Sequence, residues 1–98
     1  MNISKKLNGD RLDVVLEGRL DTLTAPDLEA EIKPDLDSVK ELVIDVKNLE
    51  YISSAGLRTL LMAKRALHNK GTVKVVGANE IVKEVFSVTG FDSLLDVE

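Results

Sequence analysis

The sequence predicts an α/β fold: a mixed, mostly parallel sheet of four to five strands with crossover helices. Three observations predict it. Apolar residues alternate with period two in several short runs. Between the later runs the period lengthens to that of a helix. The links are short, and the order strand, strand, helix, strand, helix, strand, helix, strand suits right-handed crossovers between parallel neighbours, with the first strand as an antiparallel edge.

Each element has its own signal. Ile3, Lys5 and Leu7 alternate with polar neighbours, Asn8-Gly9-Asp10 is a turn, and Leu12, Val14 and Leu16 alternate again with Val15 between them. This pattern predicts a hairpin of Asn2–Leu7 with Arg11–Glu17. Residues 18–23 lead out of the second strand. Thr24-Ala25-Pro26-Asp27 is a helix start, with Thr24 as cap, Pro26 in the first turn and Asp27 near the positive end. Leu28, Ile32 and Leu36 share one face. Pro34 falls inside this run and is expected to end or kink the helix, leaving Leu36 in a distorted last turn. Glu41–Val46 is the most strand-like stretch, with Leu42, Ile44 and Val46 on one side and Val43 on the other. Lys47 to Ser53 then reads as a loop carrying Leu49, Tyr51 and Ile52.

From about Ser54 to Lys70 the period is helical. Gly56, Leu57, Leu60, Leu61, Ala63 and Leu67 form a broad inner face, with Arg58, Met62, Arg65 and Asn69 opposite. Lys70 suits the negative end of the helix and Gly71 its termination. Thr72–Val76 is another short strand. Asn79 can cap a helix bearing Ile81, Val82, Val85 and Phe86, which ends at Gly90. Leu94, Leu95 and Val97 suggest a short last strand.

Composition limits what such a fold could do. Ninety-eight residues, 44% of them hydrophobic, predict one domain with a real core over residues 1–98. Thirteen basic residues against seventeen acidic give a net charge of −4, and aromatics are 3%. Direct binding to nucleic acid is therefore not expected. No apolar run approaches the roughly 18–20 residues of a membrane span. There is no cysteine and only one histidine, His68, so no metal site and no cofactor are expected. The N-terminus lacks the apolar stretch of a signal peptide, which points to a cytoplasmic protein. A monomer is expected; an exposed strand edge makes a weak dimer the alternative.

In such sheets, sites form beyond the carboxyl ends of the strands. Two polar loops meet this condition: one with Asp21 and Thr22, the other with Ser53 and Ser54. If their strands are parallel neighbours, Asp21 and Ser54 reach the same edge. Ser53-Ser54-Ala55-Gly56 opens a helix, and two readings stay open. In one, a serine hydroxyl caps the helix and Gly56 allows close backbone approach. In the other, a serine is reactive or modified, because a helix N-terminus favours an added phosphate. Such a phosphate would add negative charge to an acidic surface near Glu50 and Asp21, repelling a partner without unfolding the protein. Serine hydrolysis is disfavoured: the sequence lacks Gly-x-Ser-x-Gly, and the one histidine lies about four turns along the same helix. Asp45 reads as an outward strand residue. Met62, between Arg58 and Arg65, reads either as a lone exposed methionine or as part of a partner-contact patch.

Tyr51-Ile52-Ser53-Ser54-Ala55-Gly56-Leu57-Arg58 resembles the signature of the STAS domain family, specifically the small bacterial anti-sigma factor antagonists. Leu16-Glu17-Gly18-Arg19-Leu20-Asp21 with Thr24-Ala25 resembles that family's second-strand exit and helix start. Leu42-Val43-Ile44-Asp45-Val46 with Leu49, the Gly71–Gly77 segment and the Ile81–Gly90 helix also fit, so the resemblance covers almost the whole chain. It implies a STAS-like fold and a partner-switching role. The unmodified antagonist binds an anti-sigma factor that is also a serine kinase, and so frees the sigma factor. The kinase phosphorylates the signature serine with ATP, the antagonist lets go, and a PP2C-type phosphatase restores it. Laid on this chain, Ser54 takes the phosphorylated place, Ser53 the place usually held by Asp, and Ala55 the third. Asp21 matches an acidic residue in the other loop of the binding surface.

The resemblance thus implies phosphorylation at Ser54, with Asp21, Thr22, Ser53, Ala55, Gly56, Arg58, Met62 and Arg65 as partner-contact residues and no catalysis by the protein itself. Ser53 in the Asp place could alter kinase recognition or offer a second hydroxyl. Many members continue into a C-terminal helix, so the resemblance leads one to expect a short form or a trimmed chain. The alternative is a STAS module without a switch, serving as a subunit of a lipid-transport complex or a signalling scaffold.

Overall fold

The computed structural model describes residues 1–98. Its elements are β1 (Asn2–Asn8), β2 (Arg11–Leu20), α1 (Ala25–Leu36), β3 (Glu41–Ile52), α2 (Ser54–Ala66), β4 (Thr72–Val76), α3 (Glu80–Thr89), a 3-10 turn (Phe91–Ser93) and β5 (Asp96–Val97). The five strands form one mixed sheet in the order β1-β2-β3-β4-β5. Only β1 runs antiparallel to its neighbour. The predicted fold class is therefore the observed one.

Sequential parallel order has a consequence. Right-handed crossovers between adjacent strands put every helix on the same face of the sheet. Burial agrees: Leu12, Val14, Leu16 and Leu20 of β2, Leu42 and Ile44 of β3, and Val73 and Val75 of β4 lie in one apolar core with Leu28 and Ile32 of α1, Leu57 and Leu60 of α2, and Val82 and Phe86 of α3. The opposite face carries Asp13, Val15, Val43, Asp45, Lys74 and Val76, half-buried or exposed. The molecule has two layers, and one sheet face has no helix over it.

Four local expectations change. First, β2 does not stop at Glu17. It runs on through Gly18, which takes a φ of +107°, to fully buried Leu20. Second, the segment expected to be a loop after Val46 is strand: β3 continues to Ile52. Its twelve residues oppose ten of β2 because the register slips twice, between Val15 and Glu17 and between Gly18 and Arg19. Each slip is a bulge that adds one residue to β3. Burial then falls on Val46, Leu49 and Ile52, three apart instead of two, which is why period-two reading lost the strand. Asp45 sits on the uncovered face as expected and also accepts the Lys47 N–H at 2.9 Å within the first bulge.

Third, α1 continues past Pro34 to Leu36, which is buried. Leu28, Ile32 and Leu36 anchor it at four-residue spacing, while proline removes the N–H that would bond the Ala30 carbonyl. The Lys5 ammonium of β1 reaches over this turn, donating to the Glu31 carbonyl at 2.8 Å and the Asp35 carboxylate at 2.9 Å. Fourth, α2 ends at Ala66, not Lys70. The left-handed residue after the helix is Asn69, at φ +66°, and not Gly71, the expected terminator. Gly71 is needed for a different reason: a Cβ there would lie 2.0 Å from the Lys40 carbonyl oxygen.

Candidate functional site

The site is built where β2 and β3 end side by side. The two strands are parallel, Arg19 pairs with Tyr51 and Leu20 with Ile52. The Ser53 N–H then donates to the Leu20 carbonyl at 2.9 Å, so ladder bonding carries on into the loops. The Asp21 loop and the serine loop therefore leave one sheet edge together, as connectivity required.

Asp21 organises its own loop. Its Oδ1 accepts the backbone N–H of Leu23 at 3.0 Å and of Thr24 at 3.1 Å. In return the Thr24 hydroxyl accepts the Asp21 N–H at 2.9 Å and donates to the Arg19 carbonyl at 2.8 Å. This is a reciprocal capping box three residues upstream of the expected one. Thr24 was expected to cap α1 with its own side chain, and it makes no such bond. The Ala25 N–H already bonds the Asp21 carbonyl at 2.8 Å, so the helical path begins at Asp21. The Thr24 N–H, more than any other group, holds the Asp21 carboxyl below its ordinary value; partial desolvation opposes this, and the Leu23 N–H, the Thr24 hydroxyl and Arg19 reinforce it. Thr22, at the tip, is exposed.

The two serines divide their work. Ser53 has an extended backbone (φ −99°, ψ 175°), and its hydroxyl accepts the Gly56 N–H at 3.4 Å, which makes it the N-cap of α2. Ser54 is the first helical residue and is exposed. Its hydroxyl makes no hydrogen bond within the protein, unlike those of Ser38, Ser53 and Ser93. Gly56, expected at the contact surface, is buried instead. A Cβ there would come 2.7 Å from Leu20 Cγ and 3.0 Å from Ile52 Cγ1. Its absence lets the first turn of α2 settle onto the ends of β2 and β3, and that settling presents Ser54.

Along α2, Arg58 and Arg65 are exposed and Ala55 is half-buried. Met62 is not a lone exposed methionine: it is half-buried and packs on the core. Thr59 is buried and donates to the Ala55 carbonyl at 3.2 Å, a polar residue on what the helical wheel drew as neither face.

Sequence reasoning assigned no role to Arg19 and Tyr51. They pair across β2 and β3 on the uncovered face, and the Arg19 guanidinium carbon lies 4.5 Å from the Tyr51 ring centroid. Arg19 Nε is also 3.9 Å from Asp21 Oδ2. Their signal was the alternation in β3, which the bulges hid. An open groove of about 300 Å³ lies on α3 between Ile81, Val85 and Val88, with Glu84 and Thr89; no candidate residue lines it. No helix is long and apolar enough to cross a membrane.

Comparisons with known proteins agree on one family. A family model described as "Mlab, STAS domain" matches residues 3–96. The chain is 37% identical over 98 residues to the putative anti-sigma factor antagonist BtrV of Bordetella bronchiseptica, covering 94% of this chain and 84% of that protein. The crystal structure of an anti-sigma factor antagonist from Mycobacterium paratuberculosis superposes with a TM-score of 0.89 at 27% identity, over 98% of this chain and 83% of that one. SpoIIAA in its unphosphorylated form shares the fold at a TM-score of 0.87 and 18% identity, over 99% of this chain and 88% of that one. In its phosphorylated form SpoIIAA superposes at 0.78 and 17% identity, over 99% and 91%.

Proposed function

The chain belongs to the STAS domain family, and from that premise we propose that it is an anti-sigma factor antagonist switched off by phosphorylation of Ser54. The observation that carries the reading is the division between the two serines. Ser53 is occupied with capping α2, while Ser54 is exposed with its hydroxyl free of any bond within the protein. A kinase can therefore reach Ser54 without dismantling the helix start.

In the unmodified state, Asp21, Thr22, Ser53, Ser54, Ala55, Arg58, Met62 and Arg65 form the surface offered to an anti-sigma factor that is also a serine kinase, and Gly56 acts from beneath by seating α2. The kinase transfers the γ-phosphoryl group of ATP to Ser54 Oγ. A new O–P bond forms, the bond to the β-phosphate breaks and leaves ADP, and the hydroxyl proton passes to the kinase or solvent. The product carries about two negative charges at the centre of the contact surface. The free N–H groups of the first turn and the helix dipole stabilise that phosphate in place, so the fold survives while the partner is repelled. A PP2C-type phosphatase in the cytoplasm would hydrolyse the ester and restore binding. The protein contributes no catalysis of its own and acts as a monomer.

The test is phosphopeptide mapping after incubation with the cognate anti-sigma kinase and ATP, combined with binding by Ser54→Asp. Phosphate should appear on Ser54. Ser54→Asp should weaken the complex by on the order of 10-fold or more while leaving the circular dichroism spectrum unchanged. Phosphate confined to Ser53, or none, overturns the assignment. Undiminished binding by Ser54→Asp would favour a STAS module without a switch, the reading to which Ser53 in the usual Asp place lends support.

A further inference from the structure

Charge is unevenly distributed along this chain. Between Glu50 and Glu80 the sequence holds Arg58, Lys64, Arg65, Lys70 and Lys74 and no carboxylate, although the net charge is −4. The ion pairs of the molecule use Lys5, Arg11, Arg19 and Lys74; none uses a cation of α2. Arg58 is exposed, makes no hydrogen bond through its side chain, and stands one turn beyond Ser54 on the same helix. Residues four apart on a helix are surface neighbours, with Cβ atoms about 5–6 Å apart, and an anion placed N-terminal to its cation is the favourable order.

We infer that Arg58 is the receiving residue of the switch: it meets a carboxylate of the partner while Ser54 is unmodified, and it closes on the phosphate once Ser54 is modified. The inference rests on the reading of Ser54 as the modified residue. Two consequences follow from the chemistry. The partner surface facing α2 is acidic around an apolar spot that receives Met62, because a cationic ridge with no carboxylate of its own attracts carboxylates and repels cations. Phosphate releases the partner by withdrawal as well as repulsion, since a guanidinium forked onto phosphate oxygens has fewer donors left for a partner carboxylate. Repulsion alone would leave Arg58 available.

The deciding experiment needs no kinase. Phosphoserine is encoded at position 54, and its second ionisation, near pH 6, is followed by phosphorus NMR. A charged Arg58 on the phosphate favours the dianion. R58Q should therefore raise the phosphate's pKa by about 0.2–0.4 unit, the size of an exposed helical ion pair. R65Q, eleven residues along the helix and about 16 Å away, should leave it unchanged. The dipole of α2, Asp21, Arg19 and Glu50 act equally on all three forms and cancel in the comparison. An unchanged pKa in R58Q overturns the inference. In complex with the anti-sigma kinase, R58Q should cost the unmodified chain more affinity than the phosphorylated chain; equal losses overturn the shared role. A pKa shift as expected together with no binding to any anti-sigma kinase would instead sink the functional reading.

Discussion

At the scale of single residues, the site rests on side chains whose work is local. Ser53 caps and Ser54 does not, so the two should separate in stability. Ser53→Ala is expected to cost about 1 kcal/mol, and Ser54→Ala to stay within about 0.5 kcal/mol of the parent, both by urea unfolding. A loss from Ser54→Ala equal to that from Ser53→Ala would contradict the division. Asp21 is the cap of the other loop, and Asp21→Ala should lower the urea midpoint, since the Leu23 and Thr24 N–H groups lose their acceptor. Its pH dependence has a definite sign. The folded-state pKa lies below the ordinary 3.8, so the stabilising contribution is complete above that value and is lost as pH falls through the folded-state value. Amide shifts of Leu23 and Thr24 in an acid titration should report this midpoint below 3.8, and Asp21→Asn should abolish the transition in both.

At the scale of elements, what positions the serines is the seating of α2 on the strand ends. Gly56→Ala would drive a methyl group into Leu20 Cγ, 2.7 Å away, and Ile52 Cγ1. The helix start must then lift, at a cost of about 1–3 kcal/mol, with shifted amide resonances at Ser53 and Ser54; an unshifted serine loop would show that the contact does not set its position. The elements differ in how legible they were. α3 was readable because period and caps agree, Asn79 accepting the Val82 N–H and Gly90 taking a φ of +78° as expected; α2 was readable at its start, whereas its end falls at Ala66 and not at Lys70. The far half of β3 was not, because two bulges change its burial period and no local residue announces a bulge. The cap of α1 falls at Asp21 and not at Thr24 because the Thr24 hydroxyl is engaged with the Asp21 N–H and the Arg19 carbonyl, while Asp21 Oδ1 accepts the Thr24 N–H. The candidate site was legible through its serines and Asp21, whereas Arg19 and Tyr51 needed the register of β2 against β3 to meet.

At the scale of the whole molecule, one covered sheet face governs which substitutions matter. The alternation of Leu12, Val14 and Leu16 put Val15 on the other face of the strand and left open which face the helices cover. Sequential parallel order decides it, since all crossovers fall on one side. Val14 is 1% exposed beneath the helices and Val15 is 39% exposed on the other face, opposite Asp45 of β3. Val14→Ala removes two methyl groups from a packed core and should cost about 2–3 kcal/mol, transfer and cavity together. Val15→Thr keeps the β-branch, moves a hydroxyl into water and should change stability by no more than about 0.5 kcal/mol. Urea unfolding of the two variants checks the pair. Comparable losses at both positions would mean that something covers the second face in solution, and the free chain would then have to be a self-associated species. Sedimentation of the Val15→Thr variant would decide it, because disrupting such a contact should return a single monomeric boundary.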